Sequence, residues 1–105
     1  MGTRPEIIKL APLITLFKKN DLFLVRVVLT GQHLEMAEDL LNLFEIKEDL
    51  NLKIMKSNQS LTHITSAVIS GLKKEFMDYY PKLVFIQGDT STAFAAALAS
   101  FFDKI

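Results

Sequence analysis

Three short polar turns hold most of the side chains in this sequence that could do chemistry: residues 2–6 (GTRPE), 30–33 (TGQH) and 88–92 (GDTST). The first and third open helical patterns. A helix N-terminus attracts phosphate through its free N–H groups and its dipole. Arg4 adds a forked donor that matches phosphate oxygens. Lys9 follows one turn later on the same helix and can reach the same anion. This arrangement suits a nucleotide diphosphate. Asp89 lies in the turn that follows the apolar run 83–86, a place where a carboxylate can have a functional role.

Each residue also has a plainer reading. Arg4 can serve a surface ion pair, and Lys9 reads first as a solvated lysine. His33 can cap a turn. Asp89 can cap the last helix, since aspartate is a preferred N-cap. Gln59 is a loop residue with no signal of its own. His63 lies inside a helical pattern without an obvious partner, which favours a structural role. GxGxxG, GxxxxGK[ST], HExxH and GxSxG do not occur, so a dinucleotide cofactor and P-loop hydrolysis lack support.

The elements that must position these turns follow from periodicity. Pro5 and Glu6 suit a first helical turn. Ile7, Leu10, Ala11, Ile14 and Phe17 then repeat at helical spacing, with Pro12 expected to kink or split the helix. Residues 22–29 (LFLVRVVL) read as a strand covered on both faces, as in a parallel sheet. Ala37, Leu40, Leu41 and Phe44 mark a second helix, and residues 50–55 (LNLKIM) a short strand. Ser60 is placed to cap a third helix with Leu61, Ile64, Val68, Leu72 and Phe76 on its buried face. Residues 83–86 form a third apolar strand, and residues 93–102 a helix of small residues. Strands alternating with helices predict an α/β fold with a doubly wound parallel sheet, in which ligands bind beyond the carboxyl ends of the strands.

Composition narrows the class further. Half of the 105 residues are hydrophobic and 23% are charged, which fits a packed globular protein and excludes disorder. Twelve basic residues balance twelve acidic ones, so the basic excess of a general nucleic-acid binder is missing. The lack of cysteine excludes disulfides, zinc–thiolate sites and a cysteine nucleophile. No apolar run approaches a membrane span, and the N-terminus lacks a signal peptide's apolar stretch. The expectation is a soluble, cytoplasmic domain. Only Met1 precedes Gly2, and the last helix stops where another strand is expected, so both ends look cut.

Taken together, residues 2–14 (GTRPEIIKLAPLI), 30–36 (TGQHLEM) and 88–101 (GDTSTAFAAALASF) resemble the N-terminal part of bacterial UDP-N-acetylglucosamine 2-epimerases. LNLKIM and the loop before SLTHIT also match in order and spacing, so the resemblance covers essentially the whole chain. It implies two Rossmann-like domains in the glycosyltransferase-B arrangement, with the active site in the cleft between them. Residues 1–105 would be part of the N-terminal domain, with its first strand and the C-terminal domain absent.

The resemblance further implies interconversion of UDP-N-acetylglucosamine and UDP-N-acetylmannosamine by elimination and re-addition of UDP, feeding surface polysaccharide synthesis. No cofactor or metal is implied. The full-length protein would be a homodimer acting on a UDP-sugar, with no nucleic acid or membrane partner, and this fragment alone would be inactive. Arg4 and Lys9 match the nucleotide-contacting arginine and lysine, and Asp89 the active-site aspartate. Gln32, His33 and Gln59 match positions near a second, regulatory UDP-N-acetylglucosamine in non-hydrolysing members. Asn58 departs from the arginine that many such members carry there. TGQH favours the non-hydrolysing type. The alternatives are a hydrolysing relative releasing UDP and N-acetylmannosamine, and a non-catalytic α/β sugar-nucleotide-binding module.

Overall fold

The computed structural model describes residues 1–31, 34–54 and 59–105, with the backbone alone for residues 34–36. In chain order the elements are α1 (Arg4–Lys18), β1 (Val28–Leu29), α2 (Leu34–Leu43), β2 (Leu50–Asn51), α3 (Leu61–Tyr79) and α4 (Ser91–Phe102). They fall into two compact units, Met1–Lys53 and Ile54–Ile105.

The first unit is built on an apolar stripe and a short parallel pair. Ile7 and Ala11 of α1, Val27 and Leu29, Ala37 and Leu41 of α2, and Ile46 form its buried core, with Ile14, Leu40 and Phe44 packed against it. Each large aliphatic side chain buried this way stabilises by about 1.5 to 3 kcal/mol. α1 runs continuously through Pro12, so its first turns are not split off as one of the two expected outcomes had it. Proline deprives the Ile8 carbonyl of its helical donor. Both residues lie on the exposed side of the helix, where water can serve that carbonyl instead.

β1 and β2 pair in parallel, Val28 opposite Leu50 and Leu29 opposite Asn51. The strand expected over residues 22–29 therefore contracts to its last two residues. Asn20 accounts for the loss of the strand's first residues. Its Oδ1 accepts the Leu22 N–H at 3.0 Å, and its carbonyl accepts the Phe23 N–H at 3.0 Å, which turns the chain where a strand was expected. Leu22 and Leu24 are left 86% and 89% exposed. Asp49 marks where pairing begins: its carboxylate accepts the Val27 N–H at 2.7 Å, and its own N–H donates to the Val27 carbonyl at 2.8 Å.

The second unit is a pair of helices. Ser60 Oγ accepts the His63 N–H at 3.2 Å and so caps α3, as its type and position predict. Ile64, Val68, Leu72 and Phe76 are buried on one stripe, whereas Leu61 at the head of that stripe is exposed. α3 ends where Tyr80 takes a left-handed conformation ahead of Pro81. α4 turns Thr92, Ala93, Ala95, Ala99 and Ser100 inward; such small side chains let two helices approach closely. Lys73 of α3 pairs with Asp103 just past α4. Residues 83–86 join neither described strand, since a strand needs a neighbour and the described sheet holds only β1 and β2.

Candidate functional site

In the first unit, turns from three parts of the chain meet at the carboxyl edge of the sheet. The Met1 amino group donates to the Val28 carbonyl at 2.9 Å, and the Met1 carbonyl accepts the Thr30 N–H at 2.9 Å. Those are the two bonds a parallel neighbour of Leu29 makes. Residues 2–6 therefore leave the sheet beside Thr30. Burial pushes the Met1 ammonium below its ordinary pKa, and the nearby Glu6 carboxylate opposes that shift.

Gly31 carries the turn after β1 over the turn after β2. It is buried, with φ at +77°, and a Cβ added to it would stand 2.8 Å from Asn51 Oδ1 and 2.9 Å from Lys53 Cα. Asn51 Oδ1 in turn accepts the Lys53 N–H at 3.0 Å, and Lys53 itself is left-handed at φ 49°. The turn after β1 thus rests directly on the turn after β2. This is the edge at which an open α/β sheet takes its ligand.

Arg4 sits exposed at the first position of α1, and its guanidinium makes no ion pair or hydrogen bond with the described residues. Among the described residues, then, no surface ion pair accounts for it. Lys9 is exposed on the same helix. Glu6 is 2% exposed, and its Oε2 accepts the Gly2 N–H at 2.5 Å and the Thr3 N–H at 3.3 Å. The approach to α1 therefore differs from the open anion cradle expected of it, because the helix's own carboxylate already occupies the N–H groups of Gly2 and Thr3 just ahead of it.

The second unit holds the third expected turn. Thr90 is the N-cap of α4: its Oγ1 accepts the Ala93 N–H at 3.2 Å. Asp89 is exposed and makes no hydrogen bond or ion pair with the described residues. The capping alternative for Asp89 is thereby removed. Gln59 is half-buried, and its Oε1 has no hydrogen-bond partner among the described residues. His63 is exposed in the first turn of α3. Gln32, His33 and Asn58 lie outside the described residues.

Three features of these turns escape the periodicity reading: the inward Glu6, the cap at Thr90 and the stacked Asn51–Lys53 turn. The first had a signal, because Thr3-x-x-Glu6 has the spacing of a capping box. The last had a weaker one, since Asn favours side-chain turns to the backbone two residues on.

The UDP-N-acetylglucosamine 2-epimerase family model matches residues 16–105. The chain belongs to the UDP-N-acetylglucosamine 2-epimerase family. It is 50% identical over 104 residues to the UDP-N-acetylglucosamine 2-epimerase of Neisseria meningitidis, covering 99% of this chain and 28% of that protein. It is 43% identical to the Escherichia coli K12 enzyme of the same name, again over 99% of this chain and 28% of the relative. The crystal structure of the Neisseria meningitidis epimerase bound to UDP-GlcNAc superposes with a TM-score of 0.94, covering 99% of this chain and 28% of that one. The Methanocaldococcus jannaschii epimerase, in complex with UDP-GlcNAc and UDP, gives 0.90 at 30% identity, covering 99% and 29%. This epimerase-family chain therefore has an α/β fold and spans about 28% of the length of the relatives it matches. No helix among the described residues is long and apolar enough to cross a membrane.

Proposed function

We propose that the protein carrying this chain is a UDP-N-acetylglucosamine 2-epimerase of the non-hydrolysing type. The observation that supports this most is Asp89: a carboxylate of a family motif, exposed and relieved of capping by its neighbour Thr90. In this reading a base removes the C2 proton while the C1–O bond breaks, giving a 2-acetamidoglucal and UDP. Return of a proton to the other face of C2, with UDP re-attached at C1, completes the inversion. Asp89 takes part in that proton traffic. Arg4 and Lys9 hold the departing diphosphate, whose charge must stay neutralised until it returns. Gln32, His33 and Gln59 belong to a second, regulatory UDP-sugar site, weakened by Asn58.

The same reading places residues 1–105 within the N-terminal, doubly wound Rossmann-like domain of a glycosyltransferase-B arrangement. The whole protein is a cytoplasmic homodimer that needs no cofactor and supplies surface polysaccharide synthesis. Residues 1–105 alone are inactive, because the remaining acid–base groups and the other wall of the cleft come from elsewhere. The test is to incubate the intact protein with UDP-N-acetylglucosamine and follow products by NMR. UDP-N-acetylmannosamine is the expected product. Free N-acetylmannosamine with stoichiometric UDP would establish the hydrolysing alternative, and binding without turnover the non-catalytic one.

A further inference from the structure

We propose that Glu6 is the positioning residue of the anion site: it locks the turn that carries Arg4 and so holds the Arg4 guanidinium where it meets the ligand. This rests on the reading of that edge as a sugar-nucleotide site. The turn is held from two sides. Upstream, Met1 is tied to Val28 and Thr30 by two backbone bonds of 2.9 Å. Downstream, Glu6 reaches back to the Gly2 and Thr3 N–H groups at 2.5 and 3.3 Å. Arg4 stands between these anchors, so its backbone has little freedom while its exposed guanidinium stays available.

The donor count at the head of α1 points the same way. Pro5 has no N–H, and the Ile7 N–H is used by the Thr3 carbonyl at 3.1 Å. Glu6 occupies the N–H groups of Gly2 and Thr3, just ahead of the helix, and among the described residues the Arg4 N–H stays without a partner. A buried carboxylate there also offsets the positive end of the dipole that would otherwise draw phosphate. Attraction of a diphosphate to this turn then falls mainly to a side-chain cation. Two effects of Glu6 on an anion oppose each other: its charge repels, and its hydrogen bonds hold Arg4 in place. Charged acceptors bind N–H groups roughly twice as strongly as neutral ones. The repulsion acts through the intervening turn. In this assignment positioning outweighs repulsion, and the sign of the Glu6→Gln effect on affinity reads which of the two prevails.

The experiment is a double-mutant cycle in the intact protein, with UDP as the probe in calorimetry and melting followed in parallel. Glu6→Gln keeps the shape and one acceptor oxygen but loses the charge. It is expected to weaken UDP binding by on the order of fivefold. In an Arg4→Ala background the same change is expected to have no further effect, because Glu6 acts through Arg4. Glu6→Asp keeps the charge but falls one methylene short, and is expected to weaken binding as well. It also stands in should Glu6→Gln fail to fold. Tighter UDP binding by Glu6→Gln would make repulsion the dominant role and overturn the proposal. So would an unchanged affinity with a lowered melting temperature, or an equal loss in both backgrounds. Wild-type protein that binds no UDP would overturn the underlying reading of the site instead, a result visible before any variant is made.

Discussion

Thr90 Oγ1 accepts the Ala93 N–H at 3.2 Å, so α4 is capped by the residue after Asp89 and not by Asp89. The two neighbours should separate cleanly on mutation. Asp89→Asn in the intact protein is expected to lower turnover by about a hundred- to ten-thousandfold, the range for acid–base residues, with no change in melting. Thr90→Ala removes the cap and is expected to cost about 1 kcal/mol of stability. Normal turnover in Asp89→Asn would remove it from the chemistry.

Arg4 makes no hydrogen bond or ion pair with the described residues, and it stands at the carboxyl edge of the sheet. Arg4→Ala in the intact protein is expected to weaken UDP binding roughly ten- to a hundredfold, the worth of a charge-assisted contact. Arg4→Lys should restore only part of this, because an ammonium lacks the fork. Melting temperatures should not move in either variant. Calorimetry that finds UDP affinity unaltered in Arg4→Ala would remove Arg4 from the anion site.

The helices were legible in the sequence because their signals are local. Ser60 caps α3, and Ile64, Val68, Leu72 and Phe76 lie buried on one stripe as their spacing predicts. Strand extent was not legible, because it depends on partners far along the chain. Residues 22–29 are apolar throughout, yet Asn20 turns the first of them away and Asp49 sets where pairing starts. Apolar content cannot distinguish a paired strand from an exposed run. In the site, residue types and order were readable in Arg4 and Asp89. The inward turn of Glu6 was readable from the Thr3-x-x-Glu6 spacing, whereas the choice of Thr90 over Asp89 as cap was not, since adjacent Asp and Thr are both good caps and only geometry selects one.

Gly31 offers a test of the stacked turns that is independent of any ligand. Its φ of +77° and the 2.8 Å approach to Asn51 Oδ1 both exclude a side chain. Gly31→Ala carries a left-handed penalty of about 1 to 2 kcal/mol and a crowding penalty of similar size. Removing the Asn51 side chain should recover only part of the crowding, because Lys53 Cα is also 2.9 Å from the added Cβ. Chemical denaturation of Gly31→Ala, Asn51→Ala and the double variant would measure this. A wild-type midpoint for Gly31→Ala would show that the two turns do not rest on each other.

Residues 1–105 expressed alone are expected to self-associate. Leu22, Leu24, Leu83, Phe101 and Phe102 are each at least 60% exposed, a load of large apolar side chains that a small free-standing domain does not ordinarily carry. The sheet adds to this. β1 and β2 contribute two paired residues each, so the backbone ladder is short and its outer edges can recruit another copy. A domain's total stability is only about 5 to 15 kcal/mol, so a core this divided leaves little margin against association. Light scattering coupled to size exclusion, with a thermal melt, tests it. Oligomers that shrink when Phe101 and Phe102 are replaced by Ser are the expected result, since exposed phenylalanines are the strongest apolar contacts available. A monomer with a sharp, cooperative transition would show instead that the two units hold their apolar surface without further chain.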